Sequence, residues 1–197
     1  VNIPGGFMVY NTLDVLGAAL ALGISLKDSA AVLAKVPHVQ GRVEVVPTPG
    51  KDYTILIDYA HTPDSMVNVL QTVKEFAKGR TVAVFGCGGD RDKTKRPRMG
   101  KAAADWSDFA VVTTDNPRTE EPAAIIRDIL PGFDGSNTPY EVVEDRVEAI
   151  RWAMDHAQKD DVIVLCGKGH ETYQEVNHVK HHMDEREIVA DYLSSGR

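Results

Sequence analysis

Apolar, β-prone runs recur along the chain at YTILIDY (53–59), TVAVFG (81–86), FAVVTT (109–114) and DVIVLCG (161–167), with a weaker one at YEVVE (140–144). Each is nearly continuous in apolar side chains, which is how a strand covered on both faces reads. Between them apolar positions return at three- and four-residue spacing, predicting helices over 63–77, 98–106, 122–130, 145–158 and about 184–193. Strands alternating with amphipathic helices predict a doubly wound α/β fold with a mainly parallel, Rossmann-like sheet and right-handed connections. The first forty residues differ. YNTLDVLGAALALGI and LKDSAAVLAKV are two helical stretches with no strand between them, and PHVQGRVEVVP links them to the first strand. The pattern therefore divides the chain into a helical piece, 1–40, and an α/β unit, 41–197.

In doubly wound sheets ligands collect at the carboxyl ends of the strands. The unusual residues of this chain follow four strand ends, as DYAHTPD, GCGGDRD, TTDNPR and CGKGHE. In DYAHTPD, Pro63 and Asp64 with Thr62 as cap are an ordinary helix start. Asp58 and His61 are not required by it; an aspartate there suits a ribose or a cation, and the imidazole a base or a phosphate. In VVTTDNPRTEEP, Thr119, Glu120 and Glu121 fit a helix N-terminus through capping and the helix dipole. Arg118 does not, since that end of a helix prefers anions, and its guanidinium is expected to face a ligand carboxylate. CGKGHE sets glycines where backbone can approach a ligand closely, with Glu171 able to accept from an ammonium group.

Composition changes the picture in several ways. The 197 residues carry a formal charge of −7, which argues against sequence-independent nucleic-acid binding. Against that acidic background Arg91, Lys93, Lys95, Arg96 and Arg98 form one basic island, either a solvated loop or a site for an anionic substrate. No apolar run reaches the roughly 18 residues of a membrane span, and VNIPGGFMVY lacks the features of a signal peptide, so a cytoplasmic protein is expected. Cys87 and Cys166 are widely separated and are expected to be reduced, structural thiols. FGCGGDRD does not meet the Gly-x-Gly-x-x-Gly dinucleotide pattern, and no Walker phosphate loop occurs. His178, His181 and His182 lack acidic or cysteine partners at ligand spacing and read as a surface hairpin, not a metal site.

In this order DYAHTPD, FGCGGDRDKTKRPRMG, TTDNPRTEEP, EDRVEAI and GKGHETYQ resemble the Mur ligases of peptidoglycan synthesis, from about Tyr10 to Leu193. The motif Asp-Asn-Pro-Arg resembles the members of that family that add meso-diaminopimelate. The resemblance implies that 41–197 is the family's C-terminal, amino-acid-accepting domain and 1–40 the last helices of its ATPase domain. It implies that Arg118 and Arg91 contact the distal carboxylate of diaminopimelate, with Asn116 adding a hydrogen bond and Pro117 stiffening the loop. Asp115 is expected to orient Arg118, with Gly167 near the ligand and Glu171 receiving its ammonium. On the nucleotide side it implies Asn11 near adenine, Arg42 near phosphates, and Asp58 with His61 near ribose and base. ATP and magnesium are the implied cofactors, held mainly by residues that would precede Val1, and the chain is expected to be a monomeric fragment that folds without catalysing. The implied partners are small molecules: meso-diaminopimelate, ATP and the UDP-N-acetylmuramoyl dipeptide, with no nucleic acid and no membrane. A stand-alone amino-acid- or nucleotide-binding module and a lysine-adding Mur ligase remain as alternatives.

Overall fold

The computed structural model describes residues 6–36 and 39–195. Two helices, α1 (Gly6–Ala21) and α2 (Leu26–Leu33), precede a short strand β1 (Glu44–Val46). The α/β order follows as β2 (Thr54–Asp58), α3 (Pro63–Phe76), β3 (Thr81–Phe85), α4 (Lys95–Trp106), β4 (Phe109–Val112) and α5 (Pro122–Ile129). After a 3-10 turn at Leu130–Phe133 come β5 (Tyr140–Val142), α6 (Arg146–Asp155), β6 (Val162–Cys166), β7 (Tyr173–Val176), β8 (Val179–His182) and α7 (Glu185–Ser194).

Among the described residues the main sheet has the order β1-β2-β6-β3-β4-β5, parallel throughout except for β1, and β7 and β8 form a separate antiparallel hairpin. The runs that form β2, β3, β4 and β6 are strands buried on both sides, whereas β5, at the edge of the sheet, is exposed. Leu56, Ala83, Phe85, Ala110 and Val112 face a core shared with Met66, Leu70, Val73, Met99 and Ile129 of the helical layer from α3 to α5. Ile55, Ile57, Val82, Val84, Val111 and Leu165 face the other core, closed by Ile150, Ala153 and Val189 of α6 and α7. This period-two alternation fixes the register, because a one-residue slip would exchange the two cores.

Local signals explain the element ends. At α3, Thr62 and Ser65 form a reciprocal capping box and Pro63 occupies the first turn. Helix α4 begins at Lys95, three residues before the predicted 98, because Pro97 lies in its first turn, where no intrahelical donor is lost. Strand β1 was not predicted; it lies within the linker, three residues paired antiparallel to β2. Arg146 and Glu185, both fully buried, join α6 to α7, and Arg146 Nη2 donates to the Cys166 carbonyl at 2.8 Å. That clamp anchors the last residue of β6 just before the Gly167 turn. Cys87 and Cys166 are buried and unpaired. Burial pushes the Cys87 thiol up to about 12 and Cys166 also upward, which keeps both protonated.

Candidate active-site crevices

Strands β2, β6, β3 and β4 are consecutive in the sheet, so the loops that follow their carboxyl ends lie side by side. The four motifs thus converge on a crevice of about 340 Å³ lined by Tyr59, His61, Thr62, Gly86–Gly88, Arg91, Lys95, Asp115, Asn116, Arg118, Gly167 and Glu171. Six of the seven residues assigned from sequence to the amino acid line it: Arg91, Asp115, Asn116, Arg118, Gly167 and Glu171. Pro117 is buried behind them, its carbonyl packed against Gly89 so closely that a Cβ on Gly89 would lie 1.8 Å from the oxygen. Only glycine lets these two loops meet.

Arg118 adopts a left-handed backbone, φ 54°, a conformation that costs a non-glycine residue roughly 1–2 kcal/mol. It is held there by backbone bonds to the hairpin, Arg118 N to Glu175 O at 3.0 Å and Asn177 N to Arg118 O at 2.7 Å. Its side chain donates from Nη1 to Gly89 O at 2.7 Å and pairs through Nε with Glu175 at 3.4 Å. The expectation that Asp115 orients Arg118 is therefore corrected: Glu175 and the Gly89 carbonyl do so. The Asp115 carboxylate turns instead toward Gly167 and, at 3.9 Å, toward Lys168 Nζ. Gly167 has φ 114°, and a Cβ there would meet Asp115 Oδ2 at 2.5 Å.

Asn116 is buried and makes three side-chain hydrogen bonds. Its Oδ1 accepts from Lys168 Nζ and, at 2.9 Å, from the Glu175 amide, while Nδ2 donates to Glu171 Oε2 at 2.9 Å. Arg91, by contrast, is exposed and no protein group holds its side chain among the described residues. The crevice therefore presents an uncommitted guanidinium, a partly committed one and a carboxylate within one small volume, which suits a ligand carrying both a carboxylate and an ammonium.

Contrary to the expectation from sequence, Thr119 and Glu120 do not cap α5; Glu121 stands at the cap without a side-chain bond. Both reach across to the β3 loop. Thr119 Oγ1 donates to Asp90 at 2.7 Å, and Glu120 accepts from the Asp90 amide and from the fully buried Arg96. Those hydrogen bonds hold the Glu120 carboxyl down at about 2. The basic island thus splits. Arg96 is a brace between loops, Arg91 and Lys95 line the crevice, and Lys93 and Arg98 are exposed.

A second crevice, about 460 Å³, lies where α1 and α2 meet the body and is lined by Met8, Asn11, Thr12, Val15, Leu33, Val36, Val39, Arg42, Asp58, Ser65, Asn68 and Val69. Three of the four residues assigned to a nucleotide gather here: Asn11, Arg42 and Asp58. His61 does not; it lines the first crevice, with Nδ1 2.8 Å from the Tyr59 carbonyl. Asp58 Oδ2 accepts from the Val43 amide at 2.8 Å, so part of this carboxyl secures the linker, and burial raises its pKa. Tyr59 stands between the two crevices with His61, His170 and the Arg42 guanidinium around its ring. Sequence reasoning overlooked Tyr59, Glu175 and Lys168; Tyr59 and Lys168 lie inside the quoted motifs, whereas Glu175 is set by hairpin geometry. His178, His181 and His182 lie in the β7–β8 hairpin, and no group of three or more potential metal ligands occurs among the described residues. No described helix is long and apolar enough to cross a membrane.

Fold and crevice together define a doubly wound domain with a charged crevice at its strand ends. Residues 41–169 match the family model described as Mur ligase, glutamate ligase domain, and the chain belongs to the Mur ligase family. It is 50% identical over 194 residues to the UDP-N-acetylmuramoyl-L-alanyl-D-glutamate--2,6-diaminopimelate ligase of Clostridioides difficile (strain 630), covering 98% of this chain and 40% of that protein. The enzyme of the same name from Caldanaerobacter subterraneus subsp. tengcongensis is 51% identical with the same coverage. A solved structure of a UDP-N-acetylmuramoyl-L-alanyl-D-glutamate--2,6-diaminopimelate ligase superposes with a TM-score of 0.75 at 39% identity, over 98% of this chain and 39% of that one. The chain thus spans about 40% of the length of the curated relatives it matches.

Proposed function

We propose that this chain is the amino-acid-accepting part of an ATP-dependent ligase that joins meso-diaminopimelate to UDP-N-acetylmuramoyl-L-alanyl-D-glutamate. In this reading 41–197 is the accepting domain, and the helices before it belong to an ATP-binding unit that the complete enzyme shares with its relatives. The observation that carries it is the grouping of Arg91, Arg118, Asn116 and Glu171 around one crevice. Diaminopimelate differs from lysine by a carboxylate beside its distal ammonium, and the crevice offers two guanidinium groups for that anion. The names of the relatives agree with this substrate.

The second crevice fits one side of ATP: apolar walls from Met8, Val15, Leu33 and Val69 suit a flat ring, Asn11 supplies an amide, and Arg42 an exposed cation. ATP would supply the phosphoryl group that converts the peptide carboxylate to an acyl phosphate. The amine of diaminopimelate then displaces phosphate from the acyl carbon and loses a proton. Magnesium draws no ligand cluster from the described residues, so these residues are assigned no part in holding it. What this chain contributes is binding: Arg118 and Arg91 fix the distal carboxylate, Glu171 the distal ammonium, and the other amine is left to react.

The test is ATP-dependent ligation by the full-length protein with meso-diaminopimelate or lysine as acceptor. A site built around a polar group rejects an analogue lacking it by about 10⁴- to 10⁵-fold. Comparable kcat/KM for the two amino acids would refute the assignment. Residues 1–197 alone are expected to give no ligation; turnover by them would show that the phosphate site is built differently.

A further inference from the structure

Lys168 stands between Gly167 and Gly169 in the turn after β6, and its side chain is wholly buried. A buried ammonium costs several kcal/mol unless its donors are matched. Here Nζ donates to Asn116 Oδ1 and, at 2.6 Å, to the Tyr173 carbonyl, with Glu171 Oε2 at 3.5 Å and Asp115 Oδ1 at 3.9 Å. One cation therefore ties together the loop after β4, the loop after β6 and the start of the hairpin.

The consequence for the crevice runs through Asn116. An amide has one acceptor and one donor end, and only the network decides which way it points. Lys168 and the Glu175 amide both claim Oδ1, so Nδ2 is left facing Glu171 Oε2. Glu171 is thereby held through Oε2 by two donors, while Oε1 has no protein hydrogen bond among the described residues. Without the ammonium, Asn116 loses the charge that sets its orientation and Glu171 loses a neighbouring cation. Asn116 would then be held at Oδ1 by the Glu175 amide alone and Glu171 by one donor instead of two, so both would be less firmly fixed for an incoming ammonium group.

We infer that Lys168 is a positioning residue for amino-acid selection, acting through Asn116 and Glu171 without touching the ligand. The inference rests on the reading of this crevice as the diaminopimelate site. It differs from a purely structural role, which would lower stability and depress every kinetic parameter together.

The experiment is steady-state kinetics of the full-length ligase carrying Lys168→Met, Glu171→Gln or both, with melting curves for each. Methionine keeps most of the apolar stem and removes the charge. Misplacing a binding group by about 1 Å can cost on the order of 10²-fold, so Lys168→Met should raise KM for meso-diaminopimelate by roughly 10- to 100-fold. KM for ATP and for the uridine nucleotide should stay within about twofold, since the effect is confined to one loop cluster. The double variant should be little worse than Glu171→Gln alone, because both changes act through one carboxylate. Should Lys168→Met fail to fold, Lys168→Arg retains charge but not the point geometry and should raise the same KM about three- to tenfold. If Glu171→Gln raises that KM and the Lys168 variants do not, or if the two effects simply add, the positioning role is wrong. If Glu171→Gln itself leaves KM for diaminopimelate unchanged, the crevice assignment fails instead.

Discussion

The two crevices at the sheet's carboxyl edge are built on opposite principles. In the first, polar and charged groups are fixed by hydrogen bonds and ion pairs: Lys168 and Asn116 bond each other, Asn116 accepts from the Glu175 amide and Arg96 braces Glu120, with Lys168 and Arg96 fully buried. In the second the walls are mainly apolar; Asp58 and Ser65 are committed to the backbone around them, Arg42 is exposed and, among the described residues, the Asn11 amide donates to the Met8 sulfur at 3.6 Å. The helices that form its roof also leave Val9, Tyr10, Leu13, Leu22 and Leu26 about half exposed or more. A site that must tell one charged amino acid from another gains from groups locked before the ligand arrives. A site for a large, largely flat ligand can be shaped by packing.

Arg118→Ala in the full-length enzyme puts the first crevice to the most severe test. Losing one partner of a buried charge pair costs about 3–5 kcal/mol, so kcat/KM for diaminopimelate should fall by roughly two to three and a half decades. Lysine, which lacks the distal carboxylate, should lose far less, and Arg118→Lys should rescue only in part because one ammonium cannot replace a bidentate fork. Equal losses for both amino acids would mean that Arg118 supports the fold. Next is Arg146→Met, which strands the buried Glu185 and should destabilise the chain by about 3–5 kcal/mol in urea denaturation. Arg146→Met with Glu185→Leu should recover most of it. A single-variant cost under about 1 kcal/mol would show that the charge scaffold of the first crevice is dispensable.

In the second crevice Asn11→Ala and Arg42→Ala should each raise KM for ATP by no more than about tenfold, the worth of one exposed contact. Either change raising KM for diaminopimelate instead would merge the two crevices into one site. The smallest effect concerns acid. Glu120 has a folded-state pKa of about 2 against an ordinary 4.5, so its contribution is complete above the ordinary value and is lost as pH falls from there toward 2. Glu120→Gln should therefore flatten the fall in Tm between pH 5 and pH 3 by no more than about 2–4 °C. Identical acid profiles would show that the brace between the loops adds nothing.

The strands, the five helices of the body and the convergence of four strand ends were legible because each is written in a short local stretch. A continuous apolar run reports a strand that meets a core on both faces, and that holds for IVLC at 163–166 as for VAVF at 82–85. Ion-pair partners are not local. Glu120 looked like a helix cap because the preference at its position is real, yet Arg96, 24 residues earlier, claims it. Glu175 displaced Asp115 as the partner of Arg118 because the hairpin folds back onto the loop after β4, and nothing in the spacing of Tyr-Gln-Glu-Val announces that. His61 parted from Asn11 and Arg42 because it belongs to the loop that turns toward β6 and β3. Strand β1, three residues long with Val45 largely exposed, is too short for periodicity to register.

The place of β6 carries a consequence for how the molecule is made. The ribosome delivers this strand after β2, β3, β4 and β5, yet it lies at the centre of the sheet, between β2 and β3. Until residues 162–166 emerge, β2 and β3 have no common neighbour, and each offers an open apolar edge to any other strand nearby. The contacts that close the gap join Thr54 to Val162 and Asp58 to Cys166, separations of over a hundred residues, and such pairings form slowly. A nascent chain halted within α6 would hold almost every helix and no continuous sheet, which makes it a natural client for chaperones. The last long strand to be synthesised is thus both the keystone of the fold and the base of the Gly167–Glu171 turn, so the first crevice cannot exist before the sheet is whole.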